Sequence, residues 1–382
     1  MAPNRPTVRS WRGRGFLVAV LVAVMALFTA QGTAWAAAPD FATHVDYAVG
    51  GAPTDVLVAD FDEDGFDDQA TVDSDDDTLS VLLGNGDGTF DTKVTYAIGD
   101  YPDGIQLGDF NEDGDIDLVT ADTLDNTVSI LLGNGDGTFD ARVAYGTATW
   151  PYKVATDDFD EDGNADLAVT AFDGGAVSIL LGNGDGTFDT TVDYGTGTNP
   201  YGVAAADFDE DANVDLIVSN FGSDTVSVLL GNGDGTFDTK VDYATGPLPN
   251  QAVVGDFDVD GNVDVAVANL DDASLSVLLG NGDGTLDTKV DYTTGIAPFS
   301  LAVADLDGDS ALDLMTGDSI DNTVSVLPGN GNGTFATKVA FAVDEGPFGV
   351  AVGEFNEDTR PDVTSASYAE DSVSVLLNTT TP

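Results

Sequence analysis

The segment DFDEDGNADLAVT, residues 158–170, places carboxylates at Asp158, Asp160, Asp162 and Asp166, with Glu161 among them, directly before an apolar run. Like charges this close repel, so the crowding needs a cause. The pattern also returns at a fixed interval. Its first position falls at Asp60, Asp109, Asp158, Asp207, Asp256, Asp305 and Glu354, always 49 residues apart. A second motif, GNGDGTF, starts at Gly84, Gly133, Gly182 and Gly231, and continues as GNGDGTL at Gly280 and GNGNGTF at Gly329. Seven prolines, Pro53, Pro102, Pro151, Pro200, Pro249, Pro298 and Pro347, keep the same period. Residues 40–382 number 343, seven times 49, so this stretch reads as one array of seven units.

Each unit holds four strand-like runs. In the fourth they are YGVAAADF (201–208), VDLIVSN (214–220), TVSVLL (225–230) and TKVDYAT (239–245). They are rich in Val, Tyr, Phe and Thr, bounded by Gly, Asp and Asn, and lack a helical period. Four antiparallel strands in a unit of this length match a propeller blade, with an open solenoid as the rival. The last unit stops at SVSVLLN (372–378) without a fourth strand, while FATHVDYAVG (41–50) parallels FDTKVDYATG (237–246). The N-terminal segment is expected to supply the missing strand and close the ring, leaving no half-blade edge. The predicted fold is all-β, a seven-bladed β-propeller of four-stranded antiparallel blades.

Hydrophobic residues make up 42% of the chain, enough for a sizeable core despite a formal net charge of −57. From Asp40 onward seven basic residues face 68 acidic ones, a balance of −61. Such a surface repels nucleic acid and anionic membranes and attracts cations. Residues 1–36 read as a signal peptide. Arg5, Arg9, Arg12 and Arg14 precede the apolar stretch Phe16 to Ala30, and Ala34-Trp35-Ala36 supplies small residues for cleavage. The alternative is an uncleaved anchor, although a span needs about 20 apolar residues. Residues 40–382 are therefore expected to be a secreted, extracellular propeller. The chain has no cysteine, so something other than disulfides must brace it.

The acidic loop follows D-x-[DN]-x-D-G-x-x-D. Positions 1, 3 and 5 of a tight loop aim inward, glycine at 6 suits a sharp turn, and a carbonyl at 7 and a carboxylate at 9 complete an oxygen cage. This is the logic of the EF-hand loop, compressed, and so many hard oxygens suit Ca²⁺ better than Mg²⁺. A cation makes the crowding tolerable. A solvated acidic turn is the alternative, and recurrence in register in seven units weighs against it. Dockerin and thrombospondin modules use a similar loop, but here a strand follows and cysteine is absent. The GNGDG element reads as a hairpin turn whose glycines supply positive φ.

The run AVVGDFDVDGNVDVAVANLDDASLSVLLGNGDGT, residues 252–285, resembles the FG-GAP/VCBS-type repeat, the unit of the integrin alpha-subunit propeller and of many exported bacterial proteins. The likeness extends over residues 40–382. It implies Ca²⁺ in the loop between the first and second strands of each blade, with the first strand lining the axis. The implied ligands, including the carbonyl-bearing position 7, are Asp60, Asp62, Asp64, Phe66 and Asp68 in the first unit and Asp109, Asn111, Asp113, Asp115 and Asp117 in the second. They are Asp158, Asp160, Asp162, Asn164 and Asp166 in the third, and Asp207, Asp209, Asp211, Asn213 and Asp215 in the fourth. Asp256, Asp258, Asp260, Asn262 and Asp264 follow in the fifth, then Asp305, Asp307, Asp309, Ala311 and Asp313 in the sixth. Ala212 and Ser310 replace the loop glycine, and the last loop carries Glu354, Asn356, Thr359 and Arg360, so that loop is expected to be weakest.

Alternating strand direction puts the acidic loops and GNGDG turns on one face. The opposite face, where partners usually dock in similar propellers, carries a candidate aromatic rim of Tyr101, Trp150, Tyr152, Tyr201, Phe299 and Phe348, suited to stacking against sugars or holding a peptide. Packing between blades is the competing role. The expected function is a calcium-binding extracellular module for a protein or glycan ligand. The alternatives are a lyase-like polysaccharide enzyme and a structural or surface-layer role. A lyase needs a base and cations, and from Asp40 onward the chain offers one histidine, His44, and one lysine near the rim, Lys153.

Overall fold

The computed structural model describes residues 38–381, and the signal segment expected at 1–36 lies outside them. Twenty-eight strands among the described residues form seven sheets, each of four antiparallel strands. The inner strand of every sheet starts at a periodic proline: Pro53–Ala59, Pro102–Gly108, Pro151–Asp157, Pro200–Ala206, Pro249–Gly255, Pro298–Ala304 and Pro347–Gly353. Neighbouring inner strands touch around a full circle, Pro347–Gly353 meeting Pro53–Ala59. The chain is a closed seven-bladed β-propeller.

Burial explains the strand compositions. Every second strand, such as Asp166–Ala171, is buried along its whole length, so it reads as a nearly continuous apolar run. Leu167 and Val169 pack towards the preceding blade and Ala168 towards the next, so each blade is covered on both faces. Fourth strands, such as Val192–Gly195, are mostly exposed and tolerate Asp and Thr. Proline has no N–H for the ladder, and the register shifts just after it in every blade.

The ring closes as the terminal sequences predict. The Val45–Ala48 strand pairs with Ser372–Leu376, Val45 opposite Val375 and Ala48 opposite Ser372. Phe41 bridges Asn378, and the Ala42 N–H donates to the Leu377 carbonyl at 2.8 Å.

Adjacent blades are joined by the two repeated motifs themselves. Phe159, second in its acidic loop, meets Phe237 of the next blade's GNGDGTF edge-to-face at 5.6 Å, and the Phe159 carbonyl accepts from the Gly235 N–H at 2.9 Å. A Cβ at Gly235 would fall 2.9 Å from Leu181, and its φ is +76°, so glycine is required there. The same edge-to-face pair recurs at Phe61–Phe139, Phe110–Phe188, Phe257–Phe335 and Phe355–Phe90. Phe159→Ala should therefore cost about 3–5 kcal/mol in denaturant unfolding. Val192→Ala, on an outer strand at 54% exposure, should stay within about 0.5 kcal/mol.

Candidate functional site

Each acidic loop is held by its ninth-position aspartate. Asp68, Asp117, Asp166, Asp215, Asp264, Asp313 and Asp362 are all fully buried. Asp166 accepts from the Phe159 N–H on Oδ2 at 2.8 Å and from the Gly182 N–H on Oδ1 at 2.6 Å. It ties the acidic loop to the first glycine of its own blade's GNGDG turn, so both motifs lie at one end of the propeller. The same two bonds recur in the other blades, with Asn378 donating in the last. Sequence reasoning gave this residue only a ligand role. Its bracing role was visible in principle, because the aspartate and the glycine share the 49-residue period.

Burial pushes the carboxyls of Asp68, Asp166 and Asp313 up to about 7, and those of Asp117, Asp215, Asp264 and Asp362 up to about 6. The two donated N–H groups oppose the rise, and the neighbouring loop carboxylates add to it.

The loop gathers its acids in part. Oxygens of Asp60, Asp62 and Asp68 lie within 4.8 Å of one another, as do those of Asp158, Asp160 and Asp166, and of Asp207, Asp209 and Asp215. In the fifth blade the trio is Asp256, Asp258 and Asp260. Position 5 does not join these trios in the first, third and fourth blades. Its carboxylate instead accepts from the position 7 N–H, as Asp162 does from Asn164 at 2.9 Å and Asp64 from Phe66 at 2.9 Å. Where position 7 is Asn, its side chain holds the other oxygen, at 2.8 Å for Asn164 on Asp162 and Asn213 on Asp211. The Asp115, Asn262 and Ala311 N–H groups make the same bond to Asp113, Asp260 and Asp309.

Position 6 has positive φ in every loop, +93° to +97° at Gly65, Gly114, Gly163 and Gly261, and it forces +75° on Ala212, +72° on Ser310 and +68° on Thr359. Position 4 is left-handed as well, at Glu63, Glu112, Glu161, Glu210, Val259 and Glu357. Nothing in those residue types signals it. The sixth blade puts glycine there instead, Gly308, beside Ser310.

Three carboxylate oxygens in these loops, Oδ1 of Asp109, Asp207 and Asp258, are buried without a hydrogen-bond partner. Buried polar atoms are nearly always paired, so these acceptors are open to a donor, a water or a cation. The last loop differs. The Arg360 guanidinium pairs with Asp358 and donates from Nε to the Asn378 carbonyl at 3.2 Å, so that loop carries its own cation.

The opposite face holds the aromatic residues. Tyr368, Phe348, Phe299, Tyr201, Tyr152, Phe172 and Phe221 form an unbroken chain of ring contacts, with centroid separations from 4.2 Å for Phe299–Phe348 to 5.9 Å. Trp150 is exposed, and Tyr101, Tyr152, Phe299 and Phe348 are half-buried. Tyr201 lies beneath the rim, only 5% exposed, with its hydroxyl donating to Asp103 at 3.0 Å across an intervening blade. Lys153 is buried beside it, 2.9 Å from Asp55 and 3.3 Å from Asp103. Together these side chains tie the inner strands of the first four blades to one another. The residue before each proline is left-handed, Tyr101 and Trp150 included, and in five of the seven blades its N–H reaches a side chain of the preceding blade, 2.9 Å to Asp77 for Tyr101 and to Asn126 for Trp150. Among the described residues no helix is long and apolar enough to cross a membrane.

Comparison with known proteins agrees with this architecture. No curated protein sequence matches the chain. Among solved structures, the chain is similar to a chain in the crystal structure of BBS1N in complex with ARL6DN, at 13% identity over 88% of this chain and 96% of that one, with a TM-score of 0.63. It is also similar to an Agrocybe aegerita lectin that recognises non-reducing terminal N-acetylglucosamine, at 19% identity over 87% and 97%, TM-score 0.57. A third is virginiamycin B lyase from Staphylococcus aureus, at 11% identity over 88% and 99%, TM-score 0.60. At these identities the likeness is one of fold. The model of the FG-GAP-like repeat matches residues 60–120, 109–169, 158–218, 208–267, 256–316 and 305–365. Matched through six overlapping repeats that span most of its length, the chain belongs to the FG-GAP-like repeat family.

Proposed function

We propose that the protein is an exported, calcium-braced binding module that engages a protein or glycan through the face opposite its acidic loops. The observation that carries this reading is the continuous aromatic chain across that face, on a molecule otherwise dominated by carboxylates. Aromatic rings offer flat apolar area for sugar faces or peptide side chains, and the surrounding polar loops offer hydrogen bonds. Calcium, when bound, supplies positive charge among the loop carboxylates. Positions 1 and 3 of the first six loops would hold it, joined by position 9 in the first, third and fourth and by position 5 in the fifth, and the unpaired oxygens of Asp109, Asp207 and Asp258 fit that role. The loop with Arg360 fits it least.

The enzyme reading draws less support. Lys153 is occupied by two aspartates, and His44 sits on the closing outer strand, away from the aromatic face.

An array of glycans and extracellular-matrix proteins, read in calcium, tests the proposal, with terminal N-acetylglucosamine as a first probe because of the lectin likeness. Trp150→Ala combined with Tyr152→Ala should abolish retention of any ligand found in a protein that still folds, with a lower melting temperature because Tyr152 also packs on Tyr201 at 4.9 Å and Phe172 at 5.1 Å. Retention that survives the double substitution would place the binding surface elsewhere.

A further inference from the structure

The repeat supplies its own comparison, because each position has six counterparts in the other blades. Three departures from the repeat converge on the closing blade. At the position of His44 five of the other six units carry a permanent cation, such as Lys240 or Lys289, which pairs with the aspartate two residues on. At the position of Asp344 the others carry only glycine or alanine, such as Gly295. At the position of Ser367 most carry Asp or Asn, such as Asp318.

The last two departures are sterically linked. A Cβ at Gly295 would fall 2.3–2.6 Å from the Asp318 side chain, and Gly50, Gly99, Gly197 and Gly246 face similar obstruction from Asp73, Asp122, Asn220 and Asn269. A side chain at residue 344 therefore requires a small partner at 367, and Ser367 provides it. The carboxylate is thereby moved from a fully buried strand end to a place facing His44.

There it joins an ordered group. His44 Nδ1 lies 2.8 Å from the Ala342 carbonyl, which can only accept, so Nδ1 carries the proton. Nε2 then faces Asp46 Oδ1 at 3.6 Å and Asp344 Oδ1 at 3.9 Å. Both separations exceed a hydrogen bond. They are close to the spacing of ligands around a zinc-type ion with bonds of about 2.0–2.2 Å, roughly 3.3–3.5 Å apart in a tetrahedron. Ser374 donates to Asp46 at 2.7 Å and Ser372 to Asp344 Oδ2 at 3.1 Å, so both carboxylates are oriented by hydroxyls. The histidine is oriented by a carbonyl in the same manner.

We propose that His44, Asp46 and Asp344 form a binding site for a divalent first-row transition ion of the zinc type, distinct from the acidic loops. Imidazole with two carboxylates suits such an ion better than calcium, which takes oxygen donors alone. The site joins the N-terminal strand to the link between the sixth and seventh blades. It braces the one blade assembled from both ends of the chain.

Zn²⁺ titrated into the full chain with calcium in excess is the test. Because His44 is the only histidine, its imidazole NMR signals report the site without assignment ambiguity. They should shift and saturate at a single equivalent, and the melting temperature should rise. His44→Lys and Asp344→Gly restore residues found at the same positions in other blades, so both variants should fold. His44→Lys should lose the zinc-dependent rise in melting temperature, and Asp344→Gly should weaken binding at least about tenfold. Imidazole signals that titrate with pH but ignore Zn²⁺ would make His44 an ion-pair partner only and overturn the site. Equal zinc affinity in Asp344→Gly would overturn it too.

Discussion

Deletion of residues 41–50 should leave a chain that aggregates or melts far below the intact protein. The Val45–Ala48 strand satisfies the outer edge of Ser372–Leu376, and its loss would open a row of unpaired N–H and C=O groups beside Val373 and Val375, which are almost fully buried. The segment also seats Val49 in the core, Tyr47 against Phe90 at 5.1 Å and Phe41 against Phe341 at 4.9 Å. Full burial of one such side chain contributes about 1.5–3 kcal/mol, and with Val49 buried and Phe41 and Tyr47 half-buried the three together amount to roughly 3–6 kcal/mol. That approaches a whole domain's net stability. A circular permutant is the control. Thr379 donates its N–H to the Asp40 carbonyl at 2.8 Å, so residues near the two ends already touch. A chain joined there and opened at the surface turn around Gly174 should fold and melt cooperatively. A deletion that melts like the intact protein would refute the closure mechanism.

Blade number, strand order and closure were all legible because each rests on period, and period survives substitution. The acidic loops were legible for the same reason. What escaped notice depends on how one repeat meets the next. The ninth-position aspartate looks like a ligand in sequence, and only the fold reveals that both its oxygens already hold backbone N–H groups. Glu161 gives no hint of its positive φ, because nothing in its type favours that conformation. Tyr201 was expected on the rim with its neighbours, yet it turns inwards because Asp103, two blades away, offers it an acceptor. Lys153 is drawn in by the same aspartate and by Asp55. These contacts cross 98 residues, and no local pattern encodes them.

Chelation should lower the melting temperature sharply, with calcium restoring it better than magnesium. Extracellular calcium modules bind at about 10⁻⁴–10⁻³ M, so the recovery should span that range. Each site filled at a hundredfold excess over its dissociation constant would add about 2.7 kcal/mol to the folded state. The blades should respond unequally. The loops with Gly65, Gly114, Gly163 and Gly261 each hold one non-glycine residue left-handed, at position 4, and the sixth holds only Ser310 because Gly308 relieves position 4, whereas Glu210 with Ala212 and Glu357 with Thr359 put two in the fourth and last loops, a further cost of roughly 1–2 kcal/mol each. Asp160→Ala should therefore cost more stability in calcium than Asn356→Ala, whose loop already contains Arg360, and little extra in chelator. Acidity gives an independent reading. In the metal-free protein the carboxyls of Asp68, Asp166 and Asp313 are raised to about 7, so between pH 4 and 7 the folded state binds more protons than the unfolded chain. Stability must then fall as pH rises through that window. Metal-free protein should melt higher at pH 5 than at pH 8. Calcium favours the ionised carboxylates, so in its presence the trend should flatten or reverse. Identical pH profiles with calcium and with chelator, together with equal losses from Asp160→Ala and Asn356→Ala, would remove the metal from these loops.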